Sequence, residues 1–346
     1  MVWSPQVRRV AGRGGGDRWV VGHRLVDDFL EFAASRARPN TVLAYARDLK
    51  AFFTVVAKEP TEVRPADVMA FITAQRQPRP GAEKVVRIFD GGAGLSTSTI
   101  RRRLAAVSAF YGYLITRGDV GVEANPVPRG LPTRRSRREL RGQPLVRAVR
   151  RLPRILDPEE IAALMAALRT ERDRAMVQAM VLGGLRRAEV IGLRLEDLRL
   201  GEWRVYVADG KGGHQRLVPV SPSFFSTVAS YMNNERPPNA RTDRLFVVLK
   251  GPRRGQALSL EGLDEIISAA RARAGLAHGT CHELRHTCLT RLREAGMSIE
   301  ALQAQAGHRT IASTQVYLHL GSDWLADEYR RAAEVIEAQA SVGMAR

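Results

Sequence analysis

Apolar residues recur at helical spacing through the first third of the chain. Leu25, Phe29 and Phe32 form one stripe, and Leu43, Tyr45, Leu49, Phe52 and Phe53 form a second. Pro65 and Asp67 open a third helix that runs through Ile72. A Gly/Pro-rich interval over 78–94 reads as a loop with an insertion. Ser96 then caps a helix carrying Ile100, Leu104, Val107, Phe110, Tyr111 and Leu114, so residues 18–125 predict a compact, all-helical domain.

A second domain begins at Asp157. Asp157, Pro158 and Glu160 supply an N-cap, a proline at the first helical position and a glutamate at the third, ahead of the run IAALMAAL. A helix over 171–182 ends at Gly183 and Gly184. The β-rich runs 203–207 and 217–220 predict a hairpin around the Gly-rich stretch ADGKGGHQ, with a third strand over 244–248. Helices follow over about 261–274, 282–295, 298–305, 311–318 and 323–338. The fold class expected is mainly α with a small antiparallel β-sheet (α+β).

Between the domains the chain changes character. Residues 126–154 hold ten Arg, five Pro and the single acid Glu139, a net charge of ten minus one, or +9. That is half of the whole chain's +18 and reads as a basic interdomain linker, too rich in proline for a long helix. The first 17 residues are Gly/Arg-rich and read as a flexible basic arm; AGRGGGD lacks the Lys-Ser/Thr pair of a phosphate loop.

Over 346 residues there are 54 Lys+Arg against 36 Asp+Glu, which points to a polyanionic partner, with nucleic acid ahead of a membrane surface. Forty-nine of those cations are Arg, so genome composition stands as an alternative source of the excess. Cys281 and Cys288 are too few for a disulfide framework, and no apolar run reaches the roughly 20 residues of a membrane span. No signal-peptide core opens the chain, and a cytoplasmic location is expected.

Four patterns carry chemistry: GGLRRAEV (183–190), DGKGGHQRLVPV (209–220), CHELRHTCLTRL (281–292) and AGHRTIASTQVYLHL (306–320). Singly they are ordinary, since Arg186 and Lys211 suit a surface, and His308 and Tyr317 suit helix packing. HELRH also matches the H-E-x-x-H helix of zinc proteases, but the extended form of that motif needs Gly at 289 and His at 292, and both are Leu. A zinc metalloprotease is therefore a remote alternative. The other pair in the same segment, His282 and Arg285, sits at i and i+3 on one helix face.

Together, Arg186, Lys211, His282, Arg285, His308 and Tyr317 suit a phosphodiester. Arg forks match the non-bridging oxygens and stay charged. Lys or His protonates an alkoxide leaving group. A Tyr hydroxyl serves as a covalent nucleophile once helped to lose its proton. The cations neutralise charge on phosphorus, so no metal or other cofactor is expected.

In order and spacing these boxes resemble the tyrosine recombinases, the phage-integrase family, over nearly the whole chain from about residue 21. GLRRAEV is similar to the first Arg box (Arg186), GKGG to the hairpin Lys (Lys211), and HELRH to the H-x-x-R box (His282, Arg285). AGH is similar to the Gly-His box (His308), with the nucleophile position nine residues later (Tyr317). RPNTVLAYARDLKAFF and STIRRRLAAVSAFYGYL resemble the N-terminal domain.

The resemblance implies a helical core-binding (SAM-like) DNA-binding domain over 18–125 and, over 155–346, a DNA breaking-rejoining catalytic domain with a C-terminal helix. It implies that Tyr317 attacks a DNA phosphate to give a 3′-phosphotyrosyl link and a free 5′-hydroxyl. Arg186, Arg285 and His308 would hold the phosphate oxygens, Lys211 would protonate the leaving 5′-oxygen, and His282 would assist proton transfer at the tyrosine. The partners it implies are double-stranded DNA, a homo-tetramer on two DNA sites and accessory DNA-bending proteins, in a bacterial-type, nucleoid-associated setting. The stretch SDWLADEYRRAAEVIEAQA is amphipathic and suits docking on a neighbour or on its own domain. A mobile-element integrase or transposase is expected ahead of a chromosome-dimer resolvase, because the 78–94 insertion and the long linker depart from compact members. A type IB topoisomerase and a catalytically silent DNA-binding relative are the competing readings.

Overall fold

The structure is a computed structural model that describes residues 3–11, 17–77, 94–128, 146, 154–208 and 215–307. The chain divides into two compact units, Met1–Arg150 and Arg151–Arg346. The class is mainly α with two small antiparallel sheets, as expected.

The first unit opens with strands β1 (Arg8–Ala11) and β2 (Asp17–Val20), paired antiparallel from Arg8↔Val20 to Ala11↔Asp17. Four helices follow: α1 (Arg24–Ala34), α2 (Pro39–Val56), α3 (Pro65–Arg76) and α4 (Thr97–Arg117). Ser96 caps α4 as its sequence predicts, its Oγ accepting from the Thr99 amide at 3.2 Å. Phe29, Phe52, Phe53, Phe71 and Phe110 fill the centre, with Phe52 and Phe71 edge to face at 5.0 Å. Phe32, expected in the α1 stripe, is 45% exposed and lies against Tyr113 at 5.1 Å.

The flexible arm expected over 1–17 is corrected where it is described. Trp3 lies 5.5 Å from Phe53 and 5.0 Å from His23, and the Gln6 amide donates to the Val21 carbonyl at 3.0 Å. Trp3, Val7 and Trp19 pack on the unit's core, so apolar side chains spaced between the arginines tie the segment down. Of the expected linker, Val146 is 1% exposed in this same core, and residues 129–145 and 147–153 lie outside the described residues.

The second unit contains α5 (Pro158–Ala166), α6 (Glu171–Val181) and α7 (Arg187–Gly192), followed by strands β3 (Leu198–Arg199), β4 (Arg204–Val207) and β5 (Arg216–Pro219). It continues through α8 (Pro222–Asn234), α9 (Leu260–Arg273), α10 (Cys281–Glu294) and α11 (Ile299–Ala306). The capping box at Asp157 forms, with the Asp157 amide donating to Glu160 Oε2 at 3.0 Å. Helix α6 is the spine: Ala175, Met176, Val177, Ala179 and Met180 are all fully buried, with α8 and α10 packed against it.

One expectation fails here. The sheet order is β3-β4-β5, so its third strand is Leu198–Arg199 and not 244–248. That later segment makes single bridges instead, Arg194↔Arg244 and Val247↔Ala257. Helix α8 was not anticipated, although Phe224, Val228 and Tyr231 lie on one buried face at helical spacing. The helices expected over 311–318 and 323–338 lie outside the described residues. Among the described residues no helix is long and apolar enough to cross a membrane.

Replacing Trp3 with Ala is expected to lower stability by about 1–3 kcal/mol, less than a full core aromatic because the ring is half-buried. Urea denaturation of the full chain, with hydrogen exchange over 3–11, reads it; unchanged midpoint and exchange would restore the arm.

Candidate active site

Helix α7 begins at Arg186, whose extended backbone (φ −75°, ψ 151°) makes it the N-cap. Its amide donates to Glu189 Oε2 at 2.9 Å, and its Nη1 donates to Glu189 Oε1 at 2.7 Å. The remaining fork nitrogen, Nη2, donates to the Gly307 carbonyl at 3.0 Å. Arg285 projects from the second turn of α10 and is 5% exposed. Its Nη1 donates to the Gly184 carbonyl and its Nη2 to the Ala306 carbonyl, the latter at 2.7 Å. Arg285 Nη1 also stands 3.9 Å from Glu189 Oε2. The two arginines read from separate boxes thus meet around one carboxylate and the C-terminal end of α11.

Three residues complete this cluster that sequence reasoning did not single out. Glu189, with a side chain 2% exposed, accepts a two-pronged contact from Arg216, at 3.0 Å from Nη1 and 2.8 Å from Nη2. Arg216 Nε donates to the Gln305 carbonyl at 3.2 Å. The Gln305 side-chain amide donates to the carbonyls of Gly183 and Pro219 at 2.9 and 3.1 Å. Burial would push the Glu189 carboxyl up, but Arg216, the Arg186 amide and the Arg186 charge outweigh it and hold it below the usual carboxylate range. The spacing Arg186-x-x-Glu189 is that of a capping box, and Arg216 shares one face of β5 with buried Val218; those were the available signals.

His282 and His286 stand one turn apart on α10, their Nε2 atoms 2.7 Å apart and their rings edge to face. Burial first and then the Arg285 charge lower the His282 pKa. Burial, His282 and Arg285 together bring His286 down to about 4. Both imidazoles are therefore neutral near pH 7, and in such a pair one nitrogen donates and the other accepts.

The H-E-x-x-H reading meets an obstacle at Glu283. Its Oε2 accepts from the Thr280 amide at 2.8 Å, the Gly279 amide at 2.9 Å and the Thr280 hydroxyl at 3.0 Å. Burial alone would raise its pKa, yet these donors bring it to about 2. A carboxylate so engaged caps α10 and is a poor general base. Of the remaining candidate residues, Lys211, His308 and Tyr317 lie outside the described residues. Lys211 belongs to the connection between β4 and β5, and His308 follows directly on Gly307.

Residues 26–118 match the N-terminal SAM-like domain of phage integrases, and residues 154–323 match the phage integrase family. The tyrosine recombinase XerC of Pelobacter propionicus is 30% identical over 300 residues, covering 85% of this chain and 89% of that protein. XerC of Xylella fastidiosa strain M23 is 31% identical over 314 residues, with 88% and 95% covered. XerD of Listeria monocytogenes serotype 4b is 26% identical over 330 residues, with 89% and 97% covered. Among solved structures, the Tn1549 transposon integrase with transposon right end DNA superposes with a TM-score of 0.66 at 18% identity, covering 89% of this chain and 99% of that one. A lambda integrase dimer bound to a COC′ core site gives 0.61 at 17% identity, covering 84% and 96%. At such identities these two show the shared fold. Two family matches in the right order, and relatives aligned over most of both chains, lead to one conclusion: this chain belongs to the phage integrase family and is a tyrosine-type site-specific DNA recombinase.

Proposed function

We propose that Tyr317 is the nucleophile that opens a DNA phosphodiester, with Arg186 and Arg285 holding its non-bridging oxygens. The observation that supports this most is the convergence of both guanidiniums at the end of α11, one residue before His308. In this reading the tyrosine oxygen bonds to phosphorus and the 5′-oxygen leaves with a proton from Lys211. His308 donates a further hydrogen bond to the phosphate, and His282 accepts the tyrosine proton. A 5′-hydroxyl of a second strand then attacks the 3′-phosphotyrosyl ester and reseals the DNA. The ester keeps the bond energy, so the residues need neither a nucleotide nor a metal to complete the exchange.

The wider setting belongs to the same proposal. The protein acts on double-stranded DNA in a bacterial-type cytoplasm as a homo-tetramer on two sites, aided by DNA-bending proteins. The mobile-element expectation rests on the 78–94 insertion and the linker, whereas the curated relatives named above are XerC and XerD. Those names favour a Xer-like recombinase working at a fixed pair of sites. Sequencing junctions formed in cells separates the two: recurrent products at one site pair support the Xer-like reading, and scattered insertions the mobile-element one.

Tyr317→Phe is expected to abolish covalent adducts on a nicked DNA substrate while leaving DNA binding intact; adduct formation by that variant would falsify the assignment. The pH profile gives a second check. His282 is held below its ordinary pKa of about 6.5, so it stays a competent acceptor on mild acidification. Cleavage is therefore expected to be flat near pH 7 and to fall with a midpoint below 6.5, a limb that His282→Gln removes. A midpoint above 6.5, or the same limb in the variant, would take the acceptor role from His282. Finally, replacing Arg134, Arg135, Arg137 and Arg138 with Gln is expected to flatten the log K against log salt plot by about 0.9 per lost phosphate contact. An unchanged slope would mean that the linker stays off DNA.

A further inference from the structure

Arg216 lies in the pattern DGKGGHQRLVPV, five residues after Lys211, and the phosphoryl-transfer reading gives it no role, yet it ties α7 to α11. Its guanidinium grips Glu189 of α7 with both Nη atoms, and its Nε holds the Gln305 carbonyl on α11. Gly307, at the C-terminus of α11, lies directly over it. A Cβ on Gly307 would stand 2.9 Å from the guanidinium carbon, so the left-handed glycine (φ +60°) and the arginine are packed as a unit. These contacts join three segments that neighbour three candidate groups. Arg186 is three residues before Glu189, Lys211 is five before Arg216, and His308 is next after Gly307.

The charges make the contact more than mechanical. Arg186, Arg216 and Arg285 against Glu189 leave a net charge of three minus one, or +2. Arg186 already shares Glu189 at 2.7 Å, and without Arg216 the carboxylate's charge would fall more fully on Arg186, lowering these four groups from +2 to two minus one, or +1, beside a phosphate whose charge grows in the transition state. Arg216 is itself turned inward, with a side chain 11% exposed and its fork committed to Glu189. We propose that Arg216 is a positioning residue for strand cleavage: it shares the charge of Glu189 with Arg186, so that Arg186 keeps positive charge for the phosphate, and it packs against Gly307 at the end of α11. This inference rests on the phosphoryl-transfer reading above.

Single-turnover cleavage of a nicked DNA by the full-length chain tests it. Arg216→Met is expected to slow adduct formation about 100-fold, a loss on the scale of one electrostatic donor, with DNA affinity held within about threefold of the parent because the residue faces inward. Arg216→Lys, which keeps the charge without the fork, should fall between the two and guards against a variant that misfolds. Adding Glu189→Gln to Arg216→Met removes the stranded carboxylate and should recover about tenfold of the rate. A second substrate with an uncharged methylphosphonate at the scissile position should shrink the parent-to-variant ratio, because its pentavalent state carries one negative charge where the phosphodiester's carries two. Parental cleavage by Arg216→Met would overturn the inference, as would equal losses on charged and uncharged substrates or a double variant worse than the single one. No Tyr317-dependent adduct from the parent chain would overturn the phosphoryl-transfer reading itself, and this inference with it.

Discussion

A carboxylate that is almost wholly out of water must be both neutralised and hydrogen-bonded, and Glu189 imposes that demand on the second unit. Its side chain is 2% exposed and accepts from one backbone amide and two arginine forks, with a third arginine 3.9 Å away. Meeting the demand constrains segments far apart in sequence. Helix α7 must start at Arg186, β5 must keep the register that turns Arg216 inward beside Val218, and α11 must end where its carbonyls reach the same cluster. The apolar spine of α6, fully buried against α8 and α10, provides the rigid backing against which these ends can be placed.

Arginine suits this arrangement better than lysine because one guanidinium can serve several acceptors in a plane. Arg186 and Arg285 end on the carbonyls of Gly307, Ala306 and Gly184, groups that the last turn of α11 and the end of α6 leave without helical partners. A helix C-terminus carries partial negative charge, so it offsets part of the repulsion among three gathered cations. A DNA phosphate brings the same kind of acceptor with a full charge. In the proposed reading the phosphate would take over acceptor positions that backbone carbonyls fill in this structure.

Much of this was legible in the chain. Helices with a cap and an apolar stripe, such as α4 behind Ser96 and α5 behind Asp157, were placed to within a residue or two at their starts. The elements that escaped were those whose signals are mixed. Ser, Thr and Asn interrupt the stripe of α8, and in the short strands β1 and β2 three Arg stand against Val10, Trp19 and Val20. Among the site residues, Arg186, His282 and Arg285 stand in short boxes that spacing reveals. Glu189 and Arg216 act through a contact 27 residues apart, and Gln305 meets Arg216 across 89. No local pattern encodes which strand register brings such residues together; only the packed fold does.

The segment HELRH shows how a neighbouring residue decides between two chemistries written in the same letters. Two histidines one turn apart with a glutamate between them suit a zinc protease only if the carboxylate faces the metal side. Thr280 precedes that glutamate by three positions, and the pair closes a capping box at the start of α10. Four N-terminal amides of a helix always need acceptors, and here Glu283 answers two of the donors at that end together with the threonine hydroxyl. Once Glu283 is committed there, the helix turns Arg285 inward toward Gly184 and Ala306 and leaves the two imidazoles to pair with each other. The same stretch of helix therefore carries an inward guanidinium and a neutral histidine pair, the groups on which the phosphoryl-transfer proposal draws.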